Sequence, residues 1–254
     1  MNNAIKENVN KNYVNQYNGN ENKILFWNVD TQYDFMRSDE SFNGALAVKG
    51  ARAIENNLEK LTTIAEKYDL KVINTADWHT MEDAEISCNP DYKKTYPQHC
   101  MQYTKGAQYI PATEPEDPII VFWKDKAFNT KSISENRNIL LYKNKFDAFE
   151  GNPYTNIILN TINPDIVIVY GVATNVCVDM AVKGLLKNQK EIYVVRDAIK
   201  ELPSEQAATT LDDITDLWQK NHVKFIDTRD VERFVKKNDF KKTLDWLKNE
   251  NKDN

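Results

Sequence analysis

The stretch that decides the fold is residues 165–188, DIVIVYGVATNVCVDMAVKGLLKN. It opens with an apolar run over residues 166–170 that is rich in β-branched side chains, which predicts a strand buried on both faces of a parallel sheet. Gly171 breaks this run. Beyond it the apolar residues lie three and four apart, as on the buried stripe of a helix, at Val178, Ala181, Val182 and Leu185. The stretch therefore predicts a strand, a tight turn and a helix.

Cys177 lies at or beside the first turn of that predicted helix. Unpaired backbone N–H groups and the positive end of the helix dipole favour a thiolate there. The same N–H groups can stabilise an oxyanion on a carbonyl under attack. Cys177 is therefore a candidate nucleophile, and the alternative is a small buried core cysteine, which is what most free cysteines are.

The remaining apolar runs alternate with helical patterns. This alternation predicts a three-layer α/β/α fold with a doubly wound, six-stranded, mainly parallel sheet. The predicted strands are residues 23–29, 71–76, 117–123, 166–170, 191–197 and 223–227, with an extra strand piece at 138–142. The predicted helices are residues 51–68, 154–162, 204–220 with Ser204 as N-cap, and 231–247.

Composition narrows the class of protein. The 254 residues carry a formal net charge of −5, so no nucleic-acid footprint is expected. No apolar segment has membrane-spanning length, and three scattered cysteines make no disulfide framework, which together predict a cytoplasmic protein. Residues 1–22 are rich in Asn and Lys and are predicted to be a disordered or flexible tail. Residues 23–254 are predicted to be a single domain.

Acidic residues follow the first predicted strand. Asp30 and Asp34 stand just past its end, where open α/β sheets bind ligands. Aspartates in such positions also form turns and cap helices. Asp30 is favoured as the functional residue because it leaves the strand first.

A long irregular stretch, residues 77–117, holds Asp77, His79, Glu85 and His99. Loops of this length inside a compact domain are usually functional. Asp77 and His79 are two residues apart and share a face if the strand end stays extended. Together with a further Glu or His they would suit a divalent transition metal. The alternatives are a local Asp–His hydrogen bond at a turn and a solvated Glu85.

Four motifs in this order resemble the isochorismatase-like cysteine hydrolases, a superfamily that includes the nicotinamidases. They are VDTQYDF at residues 29–35, DWH at 77–79 with YPQHC at 96–100, Lys143 six residues before Phe149, and GVATNVCV at 171–178. The resemblance runs from about residue 24 to about residue 230. Composition alone would make Lys143 an ordinary surface lysine, and the motif assigns it a role.

The resemblance implies specific site residues. The implied catalytic triad is Asp30, Lys143 and Cys177. The implied oxyanion hole consists of the N–H groups of Ala173 and Cys177, beside a cis peptide bond between Val172 and Ala173. The implied ligands of a divalent metal ion (zinc, iron or manganese) are Asp77, His79, Glu85 and His99. Glu85 departs from the family pattern, because nicotinamidases commonly have histidine there. The implied substrate pocket is walled by Phe35, Tyr96 and Val176.

The implied function is that of a metal-dependent cysteine amidohydrolase in NAD salvage. It would cleave nicotinamide to nicotinate and ammonia through a thioester on Cys177. The alternatives are a hydrolase of a different small amide or N-carbamoyl compound, and a catalytically idle binding module of the same fold. The expected partner is a small-molecule amide, with no nucleic acid and no membrane, and the sequence leaves open whether the chain forms a homo-oligomer.

Overall fold

The computed structural model describes residues 23–127 and 129–238. Its main unit is Lys23–Arg233. A second unit comprises the two chain ends, and only residues 234–238 of it are described. The predicted tail over residues 1–22 and the part of the last predicted helix beyond residue 238 lie outside the described residues.

The main unit is built on a parallel sheet. Its strands are β1 (Ile24–Val29), β4 (Lys71–Asp77), β5 (Ile119–Val121), β6 (Asn138–Lys143), β7 (Ile166–Val172), β8 (Glu191–Lys200) and β9 (Lys224–Ile226). All neighbouring pairs are parallel, in the order β5-β6-β4-β1-β7-β8-β9. A separate antiparallel hairpin is formed by β2 (Ser38–Asp39) and β3 (Phe42–Asn43).

Helices flank this sheet. They are α1 (Tyr33–Met36), α2 (Glu55–Lys67), α3 (Thr130–Glu135), α4 (Ala148–Gly151), α5 (Thr155–Ile162), α6 (Asp179–Lys187) and α7 (Leu211–Lys220), and a further helix starts at residue 228. The predicted fold class is confirmed. Within the described part of the chain, no helix has the length and apolar character needed to cross a bilayer.

Strand β7 is formed by the apolar run that the sequence analysis predicted to be a strand buried on both faces. All seven of its residues are buried, as expected for a strand covered on both faces. Gly171 has φ +119°, and a Cβ atom there would lie 2.1 Å from the Val29 carbonyl oxygen of β1. Only glycine lets the two backbones approach this closely while the chain turns.

Strand order places the functional region. The chain leaves β1 toward β4 on one side and later returns to β7 on the other side of β1. Ligands of open α/β sheets bind at such a switch point, outside the carboxyl ends of the strands. Asp30 follows β1, and Asp77 and Lys143 end β4 and β6, so all three meet at this edge.

Two local predictions differ from the structure. Asn138–Lys143 is a full strand, paired on both sides with β4 and β5, so the sheet has seven strands and not six. The prediction that Ser204 caps a helix is wrong. Residues Ser204–Gln206 form a 3₁₀ turn, and Thr210 is the N-cap of α7, its side chain accepting the Asp213 N–H.

Candidate active site

Cys177 lies in a tight turn between β7 and α6. The peptide bond between Val172 and Ala173 is cis, as the family resemblance implied. Residues Thr174–Val178 then form one π-helical turn ahead of α6. The Asn175 side chain holds this turn in place, since its amide donates to the Leu202 carbonyl at 2.8 Å and accepts from the Leu202 N–H at 2.9 Å. The sequence analysis missed this anchor.

Lys143 is fully buried between two carboxylates. Its Nζ lies 2.9 Å from Asp30 Oδ2, donates a hydrogen bond to Asp77 Oδ1, and lies 3.9 Å from Cys177 Sγ. An unpaired ammonium would not remain charged at such a site. The two carboxylates keep it protonated, and they raise its pKa well above the ordinary value even though burial alone would lower it. The composition-based alternative of a surface lysine does not hold.

Asp30 is fully buried, and its pKa is shifted toward neutral pH. The Thr75 hydroxyl donates to its Oδ1 at 2.6 Å. Burial raises the pKa of Asp30 to about 6, with Asp77 adding to the rise and Lys143 opposing it. A carboxylate with a pKa in this range can accept a proton near neutral pH and give it back.

Cys177 differs from the sequence-based expectation of a thiolate at a helix terminus. Burial raises the pKa of its thiol well above the ordinary value, against the opposing charge of Lys143. The negative charge of Asp30 raises it further. The resting pair is therefore a neutral thiol beside an ionised carboxylate. The proton has to move when the sulfur attacks.

Asp34, the second aspartate of the opening motif, organises a loop. Its Oδ2 accepts the N–H of Cys100 at 2.6 Å and its Oδ1 accepts the N–H of Ala45 at 3.0 Å. Gly106 makes room for it, because a Cβ at that position would lie 2.1 Å from Asp34 Oδ2. Asp34 thereby fixes the backbone just after His99.

Gln32 performs a similar task and was missed by the sequence analysis. Its amide donates to the carbonyls of Asp77 and Ala107, both at 2.7 Å, and accepts the N–H of Asp77 at 2.8 Å. It ties the end of β4 to the long loop. Gln32 belongs to the VDTQYDF motif at residues 29–35. Hydrogen bonds to distant backbone groups leave no periodic pattern, so its anchoring role was not predicted.

Three of the four predicted metal ligands come together. One ligand atom from each of Asp77, His79 and His99 lies within 4.8 Å of the others, and all three residues are buried. His79 Nε2 is 3.7 Å from Asp77 Oδ1, and His99 Nε2 is 3.6 Å from Asp77 Oδ2. Among the described residues, neither ring nitrogen of His79 has a hydrogen-bond partner. Since buried polar groups are normally paired, these residues fit a metal ion.

Glu85, the fourth predicted ligand, is buried but stands outside that triplet. Its Oε1 accepts the N–H of Phe146 at 2.7 Å. Burial raises the pKa of Glu85 to about 8, and the charge of Asp77 adds to the rise. Two buried carboxylates, Asp30 and Asp77, share the ammonium of Lys143, so this cluster carries an excess of negative charge. A divalent cation would balance that excess.

The predicted pocket residues are also buried around the site. The ring centroids of Phe35 and Tyr96 lie 5.4 Å and 6.1 Å from that of His99. Val176 is adjacent to Cys177 in the π-helical turn and is 7 % exposed. Aromatic side chains therefore surround His99, and Val176 adds an apolar side chain beside Cys177.

Residues 25–230 match the isochorismatase domain model. The chain belongs to the isochorismatase family. This confirms the resemblance drawn from the four motifs. Among characterised relatives, the nicotinamidase/pyrazinamidase of Mycobacterium tuberculosis is 26% identical over 191 residues, which cover 73% of this chain and 91% of that protein.

Solved structures share the fold. The pyrazinamidase of Pyrococcus horikoshii, solved in complex with zinc, has a TM-score of 0.61 and 22% identity, covering 81% of this chain and 99% of that one. The N-carbamoylsarcosine amidase of Thermoplasma acidophilum has a TM-score of 0.60 and 20% identity, covering 81% and 96%. The Bacillus subtilis nicotinamidase has a TM-score of 0.62 and 17% identity, covering 81% and 99%.

Proposed function

We propose that this isochorismatase-family protein is a metal-dependent cysteine amidohydrolase that cleaves small planar amides, with nicotinamide as the first candidate substrate. It is a hydrolase of carbon–nitrogen bonds. The observation that carries the proposal is the buried cluster at the sheet edge, where Lys143 Nζ lies 2.9 Å from Asp30 Oδ2 and 3.9 Å from Cys177 Sγ. A nucleophile, a base and a fixed positive charge stand within reach of one another.

Acylation follows from these groups. Asp30 accepts the thiol proton as the Cys177 sulfur attacks the amide carbon. The carbon–nitrogen bond then breaks, and Asp30 returns the proton to the nitrogen, which leaves as ammonia. The product on the protein is a thioester of Cys177.

Deacylation uses the same groups, with water as the attacking group and the Cys177 sulfur as the leaving group. Asp30 takes a proton from water while the water oxygen attacks the thioester carbon. The carbon–sulfur bond breaks, the acid departs, and the sulfur recovers its proton from Asp30. Lys143 keeps Asp30 ionised between the two halves, because its ammonium opposes the effect of burial on that carboxylate.

The developing oxyanion requires donors. The backbone N–H groups of Ala173 and Cys177 are the proposed pair, and the support for them is that Ala173 directly precedes the π-helical turn that contains Cys177. One donor of this kind is typically worth a factor of ~10²–10³ in kcat. Asn175 supports the turn that carries them.

Asp77, His79 and His99 are the proposed holders of a divalent metal ion, with Glu85 as a fourth ligand. When bound, such an ion supplies a Lewis acid that can bind a ring nitrogen of the substrate. Phe35, Tyr96 and Val176 would wall a flat aromatic ring beside it. The aromatic lining around His99 supports this arrangement.

The choice of substrate is supported by the Mycobacterium tuberculosis nicotinamidase/pyrazinamidase, which aligns over 91% of its own length. An ammonia-release assay tests it, using nicotinamide, pyrazinamide, an acyclic amide and an N-carbamoyl amino acid with zinc, iron or manganese supplied. We expect the two ring amides to be turned over fastest. Turnover of the N-carbamoyl compound with inert nicotinamide would reject nicotinamide and keep the reaction class. No turnover of any amide with any of the three metals would reject the enzyme itself.

A further inference from the structure

His79 lies between two carboxylates on opposite sides of its ring. Its Nε2 is 3.7 Å from Asp77 Oδ1, and its Nδ1 is 3.7 Å from Asp83 Oδ2. The His79 side chain is fully buried, and neither ring nitrogen has a hydrogen-bond partner among the described residues. The Nε2 side faces the proposed metal ligands, so Asp83 stands behind the ring.

The ring of His99, by comparison, is oriented by a backbone carbonyl group. Its Nδ1 lies 2.7 Å from the Pro97 carbonyl oxygen. Because a carbonyl only accepts, Nδ1 must carry the hydrogen, and Nε2, which lies 3.6 Å from Asp77 Oδ2, is the nitrogen that faces the proposed metal site. In His79 the carboxylate of Asp83 lies on the same Nδ1 side, at 3.7 Å, which is longer than the hydrogen bond that Pro97 makes with His99.

Asp83 is itself held in position. Its Oδ2 accepts the Thr80 N–H at 2.7 Å and the Thr80 hydroxyl at 3.3 Å. Its Oδ1 accepts from Asn144 Nδ2 at 3.2 Å. The Asp83 side chain is 8% exposed. Donors from the long loop and from the residue after Lys143 therefore aim this carboxylate, and its place behind His79 does not depend on His79 alone.

We propose that Asp83 is a positioning residue for the metal site, which holds His79 in the Nδ1–H form with the Nε2 lone pair turned toward Asp77 and His99. The inference rests on the metal site of the proposed function. A carboxylate attracts an N–H donor more strongly than a neutral acceptor does. Outer partners of this kind orient a ligating histidine and increase its basicity.

The test uses two alanine variants of the full-length chain. Asp83→Ala removes the carboxylate behind His79, and Glu82→Ala removes an exposed carboxylate one residue earlier in the same loop. Zinc dissociation constants are measured by competition with a chromophoric chelator. We expect Asp83→Ala to weaken zinc binding by ~10–100-fold and Glu82→Ala to leave it unchanged. Equal affinities in Asp83→Ala and wild type would overturn the proposal.

A second measurement reads the tautomer directly. The chain has three histidines, so ring ¹⁵N NMR of the chelator-treated protein gives three resolvable systems. We expect the Nδ1 of both His79 and His99 to carry a hydrogen in wild type. In Asp83→Ala, where Asp77 is the remaining carboxylate beside the His79 ring, we expect His79 alone to change to Nε2–H, with His99 unchanged as the internal check on folding.

Wild-type His79 in the Nε2–H form would overturn the proposal even if Asp83→Ala failed to fold. A loss of zinc affinity with an unchanged His79 tautomer would also overturn it, because the carboxylate would then act only through its charge or through the loop. These spectra require neither metal nor turnover. A protein inactive on every amide would therefore refute the proposed function while leaving the tautomer result to stand on its own.

Discussion

The sheet-edge cluster and the metal loop lie side by side but are built differently. The sheet-edge cluster consists of Asp30 and Lys143, which lie at the ends of β1 and β6, and Cys177, which lies in the turn after β7. The metal loop, residues 77–117, places its histidines through side-chain bonds to backbone, such as Asp34 to the Cys100 N–H. Strand order fixes Asp30 and Lys143 and places the turn of Cys177, which Asn175 anchors, whereas individual hydrogen bonds fix the metal loop.

The difference separates two kinds of function. A group fixed by the sheet suits the steps common to amide hydrolysis, in which attack and proton transfer need constant geometry. A group held by a loop is suited to setting the choice of metal and substrate, because loops vary more among related proteins than the strands and helices that they connect. Changes in the sheet-edge cluster should therefore abolish turnover of every amide, and changes in the metal loop should alter selectivity.

The largest expected effect is that of Cys177→Ala. Without the sulfur no thioester forms, so turnover of all amides should be lost while the fold is retained. The assay is ammonia release, with circular dichroism to check the fold. The matched control is Cys88→Ala, which removes an exposed thiol and should keep full activity. Substantial residual activity in Cys177→Ala would identify a different nucleophile.

Asp30→Asn should be nearly as damaging. The amide keeps the shape of the carboxylate but cannot accept a proton, and loss of a general base typically costs ~10²–10⁴-fold in rate. The measurement is kcat on nicotinamide and on a second amide. An equal loss on both would support a role common to all amides, whereas a near wild-type rate would place the base elsewhere.

The acid limb of the pH profile should report Asp30. Burial raises the pKa of this carboxylate to about 6. The base must be ionised to act, so activity should be present above this pH and lost as the pH falls through it. Below the midpoint, kcat/KM should fall about tenfold per pH unit. A limb near the ordinary aspartate value would contradict the buried, poised carboxylate.

A smaller and selective effect is expected from Glu85→His. A site with two carboxylates suits harder ions such as Mn²⁺, and a third imidazole should shift preference toward Zn²⁺ and Fe²⁺. The KM for nicotinamide should fall relative to an amide without a ring nitrogen. Metal content and both KM values are measured, with Glu82→His as the control from the same loop. Unchanged selectivity would remove Glu85 from the metal site.

The smallest effect on rate is expected from Asp34→Asn. An amide offers one acceptor where the carboxylate offers two, so the N–H of Cys100 or of Ala45 loses its partner. An unpaired buried donor costs ~1–3 kcal/mol. Urea unfolding should show that loss of stability, while turnover at saturating metal stays close to wild type. A rate loss as large as that of Asp30→Asn would contradict the assignment of a structural role to Asp34 and a catalytic role to Asp30.

The sequence predicted the positions of the strands well, although β7 continues through Gly171 to Val172 and β8 continues to Lys200, and it predicted the loop contacts poorly. Apolar runs have a period, so β1, β4 and β7 and the residues that follow them were predictable. Lys143 was not predictable from its surroundings, since its partners Asp30 and Asp77 lie on other strands and only the family motif singled it out.

The other differences between the prediction and the structure also come from partners that lie far apart in the sequence. The apolar run at residues 138–142 is short and was predicted as an extra strand piece, and only its pairing with β4 and β5 makes it a full interior strand. Asn175 and Gln32 act through backbone groups far away in the chain, at Leu202 and Ala107. Such contacts leave no periodicity in the sequence, and neither does the carboxylate of Asp83 behind His79.

The measurement that tests the central claim most directly is rapid-quench mass spectrometry of the metal-loaded enzyme during turnover of nicotinamide or of whichever amide proves active. The account predicts an acyl thioester on the peptide that contains Cys177, formed and lost at rates compatible with turnover, and absent in Cys177→Ala. Turnover with the acyl group on another residue, or with no covalent intermediate under conditions that trap thioesters, would contradict it.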